Sequence, residues 1–307
     1  MTLQQLEYIV AIDEHRHFVK AAEACGITQS TLSSMVHKLE DELDLTIFDR
    51  NSHPIRPTLA GEQILKQARV VIFHSKQLEE MSKNERKSIS GNIRLGITPT
   101  VAPYIIPKLF RYINTIPDIT IKADEFYHDN LVQKLKNAEL DIVIMSYPGN
   151  NGTFLEIPLY REKLWAYVSS NDPLFNEESI DFNTMPRERL WALKNEICFQ
   201  RQLTGLCYME SKRSSMYESG NITTLIRIAD ENEGFTIIPE LHIPILKENR
   251  KANIRPFKEP CPERVVSLFV RHDFVREGLL NVIADGIKTI IPQEMLDSRL
   301  LKYPIRL

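Results

Sequence analysis

The four cysteines are the residues whose chemistry could most directly define a function for this 307-residue sequence. They are Cys25, Cys198, Cys207 and Cys261. No two of them form the Cys-x-x-Cys pair that is typical of structural zinc sites, and four cysteines are too few for a disulfide framework in a chain of this length. Cys198 and Cys207 lie nine residues apart with Arg201 between them, and a nearby cation favours the thiolate that reacts with peroxide. Spacing alone leaves a second interpretation open, in which both are ordinary buried cysteines that act as small hydrophobic side chains.

The length and composition indicate a globular protein of two or three domains. Hydrophobic residues make up 43% and charged residues 26%, which excludes a collagen-like or mainly disordered chain. No apolar run approaches the roughly 20 residues of a membrane helix, and the start of the chain lacks the basic residues of a signal peptide. We therefore expect a cytoplasmic protein that has no membrane partner. The net charge of −3 neither favours nor excludes nucleic acid.

The first 43 residues predict three helices arranged as a helix-turn-helix. Residues 2–15 begin with a capping box and continue with apolar residues at helical spacing. Phe18–Ala24 is a short second helix, and Gly26 in the following turn breaks the pattern. Thr28 is a candidate N-cap for a third helix over Gln29–Leu43. Two helices joined by a short turn that contains glycine are typical of this DNA-binding motif.

The third helix presents two different faces. Leu32, Val36 and Leu39 lie within about 60° of one another and form a core stripe. The exposed start and the opposite side carry polar residues that can bond to base edges and phosphates, namely Gln29, Ser30, Ser33, Ser34 and His37. An ordinary solvated surface is the alternative. Residues 1–60 hold five Lys/Arg and nine Asp/Glu, a net charge of −4, so we expect few phosphate contacts per subunit and several subunits on DNA.

A wing and a long linker helix are predicted next. The turn over Arg50–Arg56 contains Pro54 and predicts a small β-wing. From Gly61 to Lys87 the sequence predicts a helix with apolar or small residues at spacings of 4, 3, 4 and 3, namely Ile64, Ala68, Val71, Ser75 and Leu78. This heptad seam indicates pairing with a second copy of the chain, and packing on its own domain is the equal alternative.

Beyond residue 92, strands and helices alternate, which predicts an α/β domain with mostly parallel sheets. The predicted strands are Ile93–Ile97, Ile119–Asp124, Leu140–Ser146, Leu164–Ser169, Phe235–Pro239 and Val265–Arg271. About 210 residues of this pattern suit two lobes with a cleft between them. The sequence contains no Walker loop and no dinucleotide fingerprint, and we predict neither a cofactor nor a metal site.

These residues carry a family resemblance. The run FVKAAEACGITQSTLSSMVHKLEDELDLTIFDRN followed by TLAG resembles the winged helix-turn-helix of LysR-type transcriptional regulators. The second half resembles the peroxide-sensing members of that family in GITPTVAPYIIP, CFQRQ and GFTIIP. The resemblance implies a winged helix-turn-helix over 1–60, a dimerisation helix and hinge over 61–91, and a two-lobed periplasmic-binding-protein-like regulatory domain over 92–307. Lobe I would comprise 92–163 and 268–307, and lobe II 164–267.

The resemblance also implies partners and DNA-contacting residues. Double-stranded DNA, further copies of the chain in a homodimer or homotetramer, and RNA polymerase are the implied partners, and the protein would be a regulator rather than an enzyme. His53 and Pro54 stand where basic wing residues are common, so the wing arginines must supply most of its charge. The implied DNA-binding residues are Thr28, Gln29, Ser30, Thr31, Ser33, Ser34, His37, Lys38, Arg50, Arg56 and Thr58.

For the cysteines, the resemblance implies a peroxidatic Cys198 and a resolving Cys207 that join as a disulfide. The implied thiolate and peroxide environment comprises Thr100, His128, Arg201 and Arg271. Nine residues span about 13 Å along a helix and about 30 Å along a strand, whereas a disulfide needs Cα atoms within about 7 Å, so the bond would require local refolding. A LysR-type regulator that binds a small effector in the lobe cleft, with structural cysteines, is the alternative. A thiol peroxidase or a solute-binding protein is a third reading, and neither needs a DNA-reading helix.

Overall fold

The computed structural model describes residues 1–84, 90–146, 150–191, 221–302 and 304–306. The chain forms two compact units, of which one comprises Met1–Ser88 with Lys136–Glu139 and the other the rest. Cys198, Arg201 and Cys207 lie outside the described residues. No helix within the described ranges has both the length and the apolarity needed to cross a membrane.

Three helices build the helix-turn-helix of the first unit, as predicted: α1 (Leu3–His15), α2 (Phe18–Ala24) and α3 (Gln29–Leu43). Thr2 and Gln5 cap α1 with reciprocal side-chain bonds, which is the predicted capping box. Gly26 turns the chain at a φ of +68°, a conformation that other residues rarely adopt. The core beneath these helices includes Ile9, Leu32 and Val36, all fully buried.

The wing is a two-stranded antiparallel ribbon of β1 (Phe48–Asp49) and β2 (Arg56–Pro57). The long helix α4 (Leu59–Asn84) follows it and begins two residues before the predicted Gly61. The reason is local, because the Thr58 hydroxyl accepts a hydrogen bond from the Gly61 amide at 2.9 Å and starts the helix there.

The predicted seam of α4 divides between two environments. Ala68 packs into the core of its own unit together with Leu65 and Ile72. Val71 is 40% exposed and Leu78 is 71% exposed. Packing within the domain thus accounts for the inner part of the stripe, and pairing with a second copy stays a prediction for the outer part.

The second unit combines a central sheet with flanking helices. Its strands are β3 (Gly91–Ile97), β4 (Ile119–Glu125), β5 (Ile142–Met145), β6 (Leu155–Val168), β7 (Phe235–Pro239), β8 (Ile254–Pro256) and β9 (Glu263–Val270). Its α-helices among the described residues are α5 (Ala102–Ile113), α6 (His128–Lys136), α7 (Ile222–Asn232), α8 (Glu248–Lys251), α9 (Glu277–Ile290) and α10 (Ser298–Lys302).

The strand order is β4-β3-β5-β9-β6-β7, and β8 pairs with β6. The prediction of mostly parallel strands was wrong for the described part of this sheet, since only β3 pairs in parallel, with β4 and with β5. Both β6 and β9 run antiparallel to their partners. The predicted strand Leu164–Ser169 is the last third of the longer β6, whose beginning contains Pro158 and Glu162 and therefore lacks a continuous apolar pattern.

Strand β6 changes partners along its length. Its residues from Leu155 to Lys163 pair with β9, and those from Leu164 to Val168 pair with β7. The change coincides with the predicted lobe boundary at 163/164. On β9 this pairing begins at Glu263, five residues before the boundary predicted at 268.

Candidate functional site

The start of α3 presents a cluster of hydroxyl groups. The Thr28 side chain accepts the Thr31 amide at 3.2 Å and caps the helix as predicted. Its hydroxyl also lies 2.9 Å from the hydroxyls of Ser30 and of Thr31. All three residues are exposed, so this cluster and the free amides of the first turn are open to a phosphate or a base edge.

Most of the predicted DNA-binding residues on α3 lie on its outer surface. Exposed residues are Gln29, Ser30, Thr31, Ser34, His37 and Lys38. Ser33 is half-buried, because it lies beside the core stripe that contains Leu32 and Val36. The side chain at 33 is therefore less available than the sequence predicts.

The wing residues differ in how far their side chains are already engaged. Arg56 is exposed, and Arg50 is exposed but donates to the Glu40 carboxylate at 2.8 Å. The Thr58 hydroxyl donates to the Thr46 carbonyl at 2.7 Å as well as accepting from Gly61. Thr58 thus joins the chain before the wing to the start of α4. Its hydroxyl, which the resemblance implies contacts DNA, already forms these two bonds within the protein.

In the second unit, Thr100 lies at the carboxyl edge of β3 and is 1% exposed. The Arg264 guanidinium donates from Nη1 to the Thr100 hydroxyl at 3.0 Å and from Nη2 to the Thr100 carbonyl at 3.0 Å. Sequence reasoning missed Arg264, although a cation that directly precedes a mostly apolar run, here Val265–Val270, is a signal that the sequence offers. The arginine fixes the position of the threonine through both of its oxygens.

A buried carboxylate balances the charge of this arginine. Arg264 Nε donates to Glu162 Oε1 at 2.8 Å, and the Leu241 amide donates to Glu162 Oε2 at 3.2 Å. Burial and the Glu162 charge raise the pKa of Tyr160 well above its ordinary value, so that this phenol stays protonated. The group forms a polar cluster inside the unit at the point where β6 changes partners.

His128 and Arg271 occupy opposite edges of the sheet. His128 begins α6 just after β4, at the same edge as Thr100, and is 7% exposed. Arg271 follows the far end of β9, where Phe269 pairs with Val143 near the start of β5. There its guanidinium donates two hydrogen bonds to the Asp273 carboxylate, of 3.0 Å and 2.6 Å. The structure therefore does not bring Arg271 to Thr100, since the antiparallel course of β9 carries it away.

A cavity of about 670 Å³ opens beside the carboxyl ends of β3 and β4. Tyr104 and His242 lie in its wall, and the start of α7 at Ile222 and Thr223 forms another side. The Tyr104 hydroxyl lies 2.8 Å from His242 Nδ1, and burial lowers the pKa of His242 to about 4. The imidazole is therefore neutral near pH 7.

Free thiols and candidate metal ligands add little within the described chain. Cys25 and Cys261 are free and half-buried, and burial raises the pKa of both thiols. This favours the unreactive thiol form of both. Among the described residues, no group of three or more His, Cys, Asp or Glu side chains is placed to hold a metal ion.

Comparison with known families gives the site its context. Residues 3–62 match the bacterial regulatory helix-turn-helix proteins of the lysR family, and residues 86–287 match the LysR substrate binding domain. The chain belongs to the LysR family. Like other members, this LysR-family regulator joins a DNA-binding helix-turn-helix to a regulatory domain of α/β architecture.

Curated relatives of this LysR-family regulator include peroxide-responsive activators. A hydrogen peroxide-inducible genes activator of Pectobacterium carotovorum is 30% identical over 290 residues, which cover 94% of this chain and 96% of the relative. The DNA-binding transcriptional dual regulator OxyR of Escherichia coli K12 is 30% identical, with 94% and 95% covered. A similar chain with a different name, the HTH-type regulator EstR of Acinetobacter baylyi, is 29% identical, with 94% and 97% covered.

Solved structures show the same architecture. A full-length OxyR variant from Pseudomonas aeruginosa superposes with a TM-score of 0.81 at 28% identity, covering 97% of this chain and 98% of that one. An OxyR structure from Porphyromonas gingivalis gives a TM-score of 0.62 at 28% identity, covering 68% and 97%.

Proposed function

We propose that this LysR-family regulator responds to hydrogen peroxide by forming a disulfide between Cys198 and Cys207, which alters its binding to double-stranded DNA. The observation that carries the proposal is the nearly full-length similarity to hydrogen peroxide-inducible genes activators. The two cysteines in the sequence supply the chemistry that such a response needs.

The proposed reaction balances as two thiol oxidations by one peroxide. The Cys198 thiolate attacks one peroxide oxygen, the O–O bond breaks, and the other oxygen leaves as water after taking up a proton. The Cys207 thiolate then attacks the resulting sulfenic sulfur, the S–O bond breaks, and the hydroxide leaves as a second water after taking up a proton. Each chain consumes one peroxide and remains oxidised until a reductant restores it, so the protein acts as a switch and not as an enzyme.

We assign the supporting cation at the peroxide site to Arg264 in place of Arg271. Arg264 binds both oxygens of Thr100, the residue expected to bond to peroxide, and is 2% exposed. A buried guanidinium favours a nearby thiolate because the low dielectric strengthens their attraction. Arg271 is engaged with Asp273 at the other edge of the sheet. His128 and Arg201 remain proposed members of this environment.

We further propose that the regulator works as a homodimer or homotetramer in the cytoplasm and contacts RNA polymerase. The exposed Val71 and Leu78 on α4 support pairing of this helix with a second copy. The net charge of −4 on residues 1–60 makes several subunits on one DNA site the better arrangement. Sedimentation at micromolar concentration tests the assembly, and a species that is only monomeric would contradict it.

The decisive experiment maps the thiols after treatment with one equivalent of peroxide. We expect a peptide in which Cys198 and Cys207 are linked, together with a changed DNA footprint. Cys198→Ser should abolish the response while DNA binding is retained, and Cys207→Ser should accumulate sulfenic acid. The matched control is Cys261→Ser, which should behave as the wild type because that thiol is half-buried and its pKa is raised.

A second candidate function is regulation by a small effector in the lobe cleft. The cavity of about 670 Å³ and the match to the LysR substrate binding domain favour it. The same experiment separates the two candidates. Free Cys198 and Cys207 after peroxide, with an unchanged footprint, would favour the effector and reject the disulfide switch.

A further inference from the structure

We infer that Glu40 is a positioning residue for DNA binding, which holds the wing arginine Arg50 against the DNA backbone. The inference rests on the proposed DNA interface and goes beyond it. It means that one buried carboxylate strengthens the binding of a polyanion, which is opposite in sign to its direct electrostatic effect.

Glu40 connects the recognition helix to the wing through three hydrogen bonds. It lies on α3 and is 7% exposed. Its Oε1 accepts the backbone amides of Ile47 at 2.7 Å and Phe48 at 3.2 Å, where β1 begins. Its Oε2 accepts Arg50 Nη2 at 2.8 Å. A single side chain therefore links α3 both to the start of β1 and to the wing arginine that follows this strand.

Arg50 is held on a second side by an aromatic ring. Its guanidinium carbon lies 5.8 Å from the centroid of the Phe18 ring on α2. The bond to Glu40 uses one nitrogen of a group that has five N–H donors, and the Arg50 side chain remains 43% exposed. The outer donors of a guanidinium already fixed in place can bind a phosphate with little further loss of side-chain entropy.

Neighbouring acids on α3 do not share this arrangement. Glu42 is 47% exposed on its side chain and forms an ion pair with the N-terminal amine. Removing such an exposed carboxylate should strengthen DNA binding slightly, because it removes repulsion of the phosphates. Removing the Glu40 carboxylate removes the same charge and, in addition, the anchor of Arg50. The pair Glu40→Gln and Glu42→Gln therefore separates charge from positioning.

The test is the salt dependence of binding to a random-sequence duplex by the full, reduced chain. Each phosphate contact contributes about −0.9 to the slope of log K against log salt. We expect Glu40→Gln to reduce the magnitude of the slope by about 0.9 per protomer, and to weaken binding roughly eightfold per protomer at 0.1 M salt. Glu42→Gln should keep the wild-type slope. A loss of folded protein would lower the active fraction without changing the slope, so the readout excludes unfolding as the cause of weaker binding.

Arg50→Ala provides the closing arm of the cycle. It should lower the slope by the same amount, and Glu40→Gln added to Arg50→Ala should then bind like Arg50→Ala alone or slightly tighter, because the carboxylate no longer positions an arginine. A wild-type slope in Glu40→Gln, or tighter binding than the wild type, would overturn the inference. The titration uses reduced protein and random DNA, so it does not depend on the peroxide response. It tests the role of Glu40 even if the protein does not react with peroxide. A wild type without salt-dependent binding would overturn the DNA interface and Glu40 with it.

Discussion

His242 should make the second unit sensitive to mild acid. The side chain is 5% exposed, and burial lowers its pKa from 6.5 to about 4. In the unfolded chain the imidazole takes up a proton near pH 6.5, whereas in the folded protein it becomes protonated only near pH 4. As the pH falls below 6.5, protons therefore bind to the unfolded state before they bind to the folded state, and this lowers the free energy of unfolding. The His242 contribution is neutral above pH 6.5 and is increasingly destabilising as the pH falls toward 4.

The magnitude follows from the two pKa values. The full difference corresponds to about 3 kcal/mol of unfolding free energy, of which about 2 kcal/mol is lost between pH 7 and pH 5. His242→Gln keeps a neutral polar side chain and removes the titration. We expect the free energy of unfolding of the wild type to fall by about 2 kcal/mol more than that of His242→Gln over this interval.

Urea unfolding followed by tryptophan fluorescence measures this difference in the unit that contains His242. Both tryptophans, Trp165 and Trp191, belong to the second unit, so the signal is specific to it. Tyr104→Phe is the matched control, because it removes the hydrogen bond to His242 while the imidazole stays buried. It should cost about 1 kcal/mol at pH 7 and retain the pH dependence. Parallel curves for the wild type and His242→Gln would refute the reasoning.

Three further predictions concern packing and recognition. Glu162→Gln leaves the buried Arg264 without its counter-charge and should cost about 3–5 kcal/mol in urea unfolding, whereas Glu263→Gln, in an exposed pair with Arg161, should cost less than about 1 kcal/mol. Gly61→Ala should destabilise the first unit by about 1–3 kcal/mol in thermal unfolding, although alanine favours helices, because its Cβ would lie 2.0 Å from the Ile47 carbonyl oxygen. Gln29→Ala should cost about 1–3 kcal/mol of binding to a specific site with unchanged stability, and equal binding on a footprint titration would remove α3 from the groove.

The helices of the first unit could be predicted because their signals are local. Thr2, Gly26 and Thr28 mark where helices begin or end within a few residues of the chain, and the structure has α2 and α3 at the predicted bounds. The exposed hydroxyl cluster follows from the same cap. What local signals could not supply is the commitment of Thr58 and Arg50 to partners 12 and 10 residues away.

The central sheet was harder to predict because its pairing is non-local. Charged residues inside β6 and at the start of β9 resemble strand ends in the sequence, yet Glu162 and Arg264 face each other and satisfy each other's charge. The apolar pattern of β9 also does not specify its direction, and the antiparallel course separates Arg271 from Thr100. Only the pairing of strands about 100 residues apart reveals which arginine is buried.

The pairing of β6 with β9 makes residues 164–262, most of the predicted lobe II, an insertion whose two ends lie side by side. Lys163 and Glu263 face each other in antiparallel register, so the chain enters this segment and returns from it at adjacent positions. A two-residue hairpin turn can join strands in this register. Residues 164–262 could thus be exchanged for a turn, or for the corresponding segment of another member of the family, without moving the ends of either strand. New sensory specificity could be acquired on this scaffold by exchange of one continuous stretch of gene.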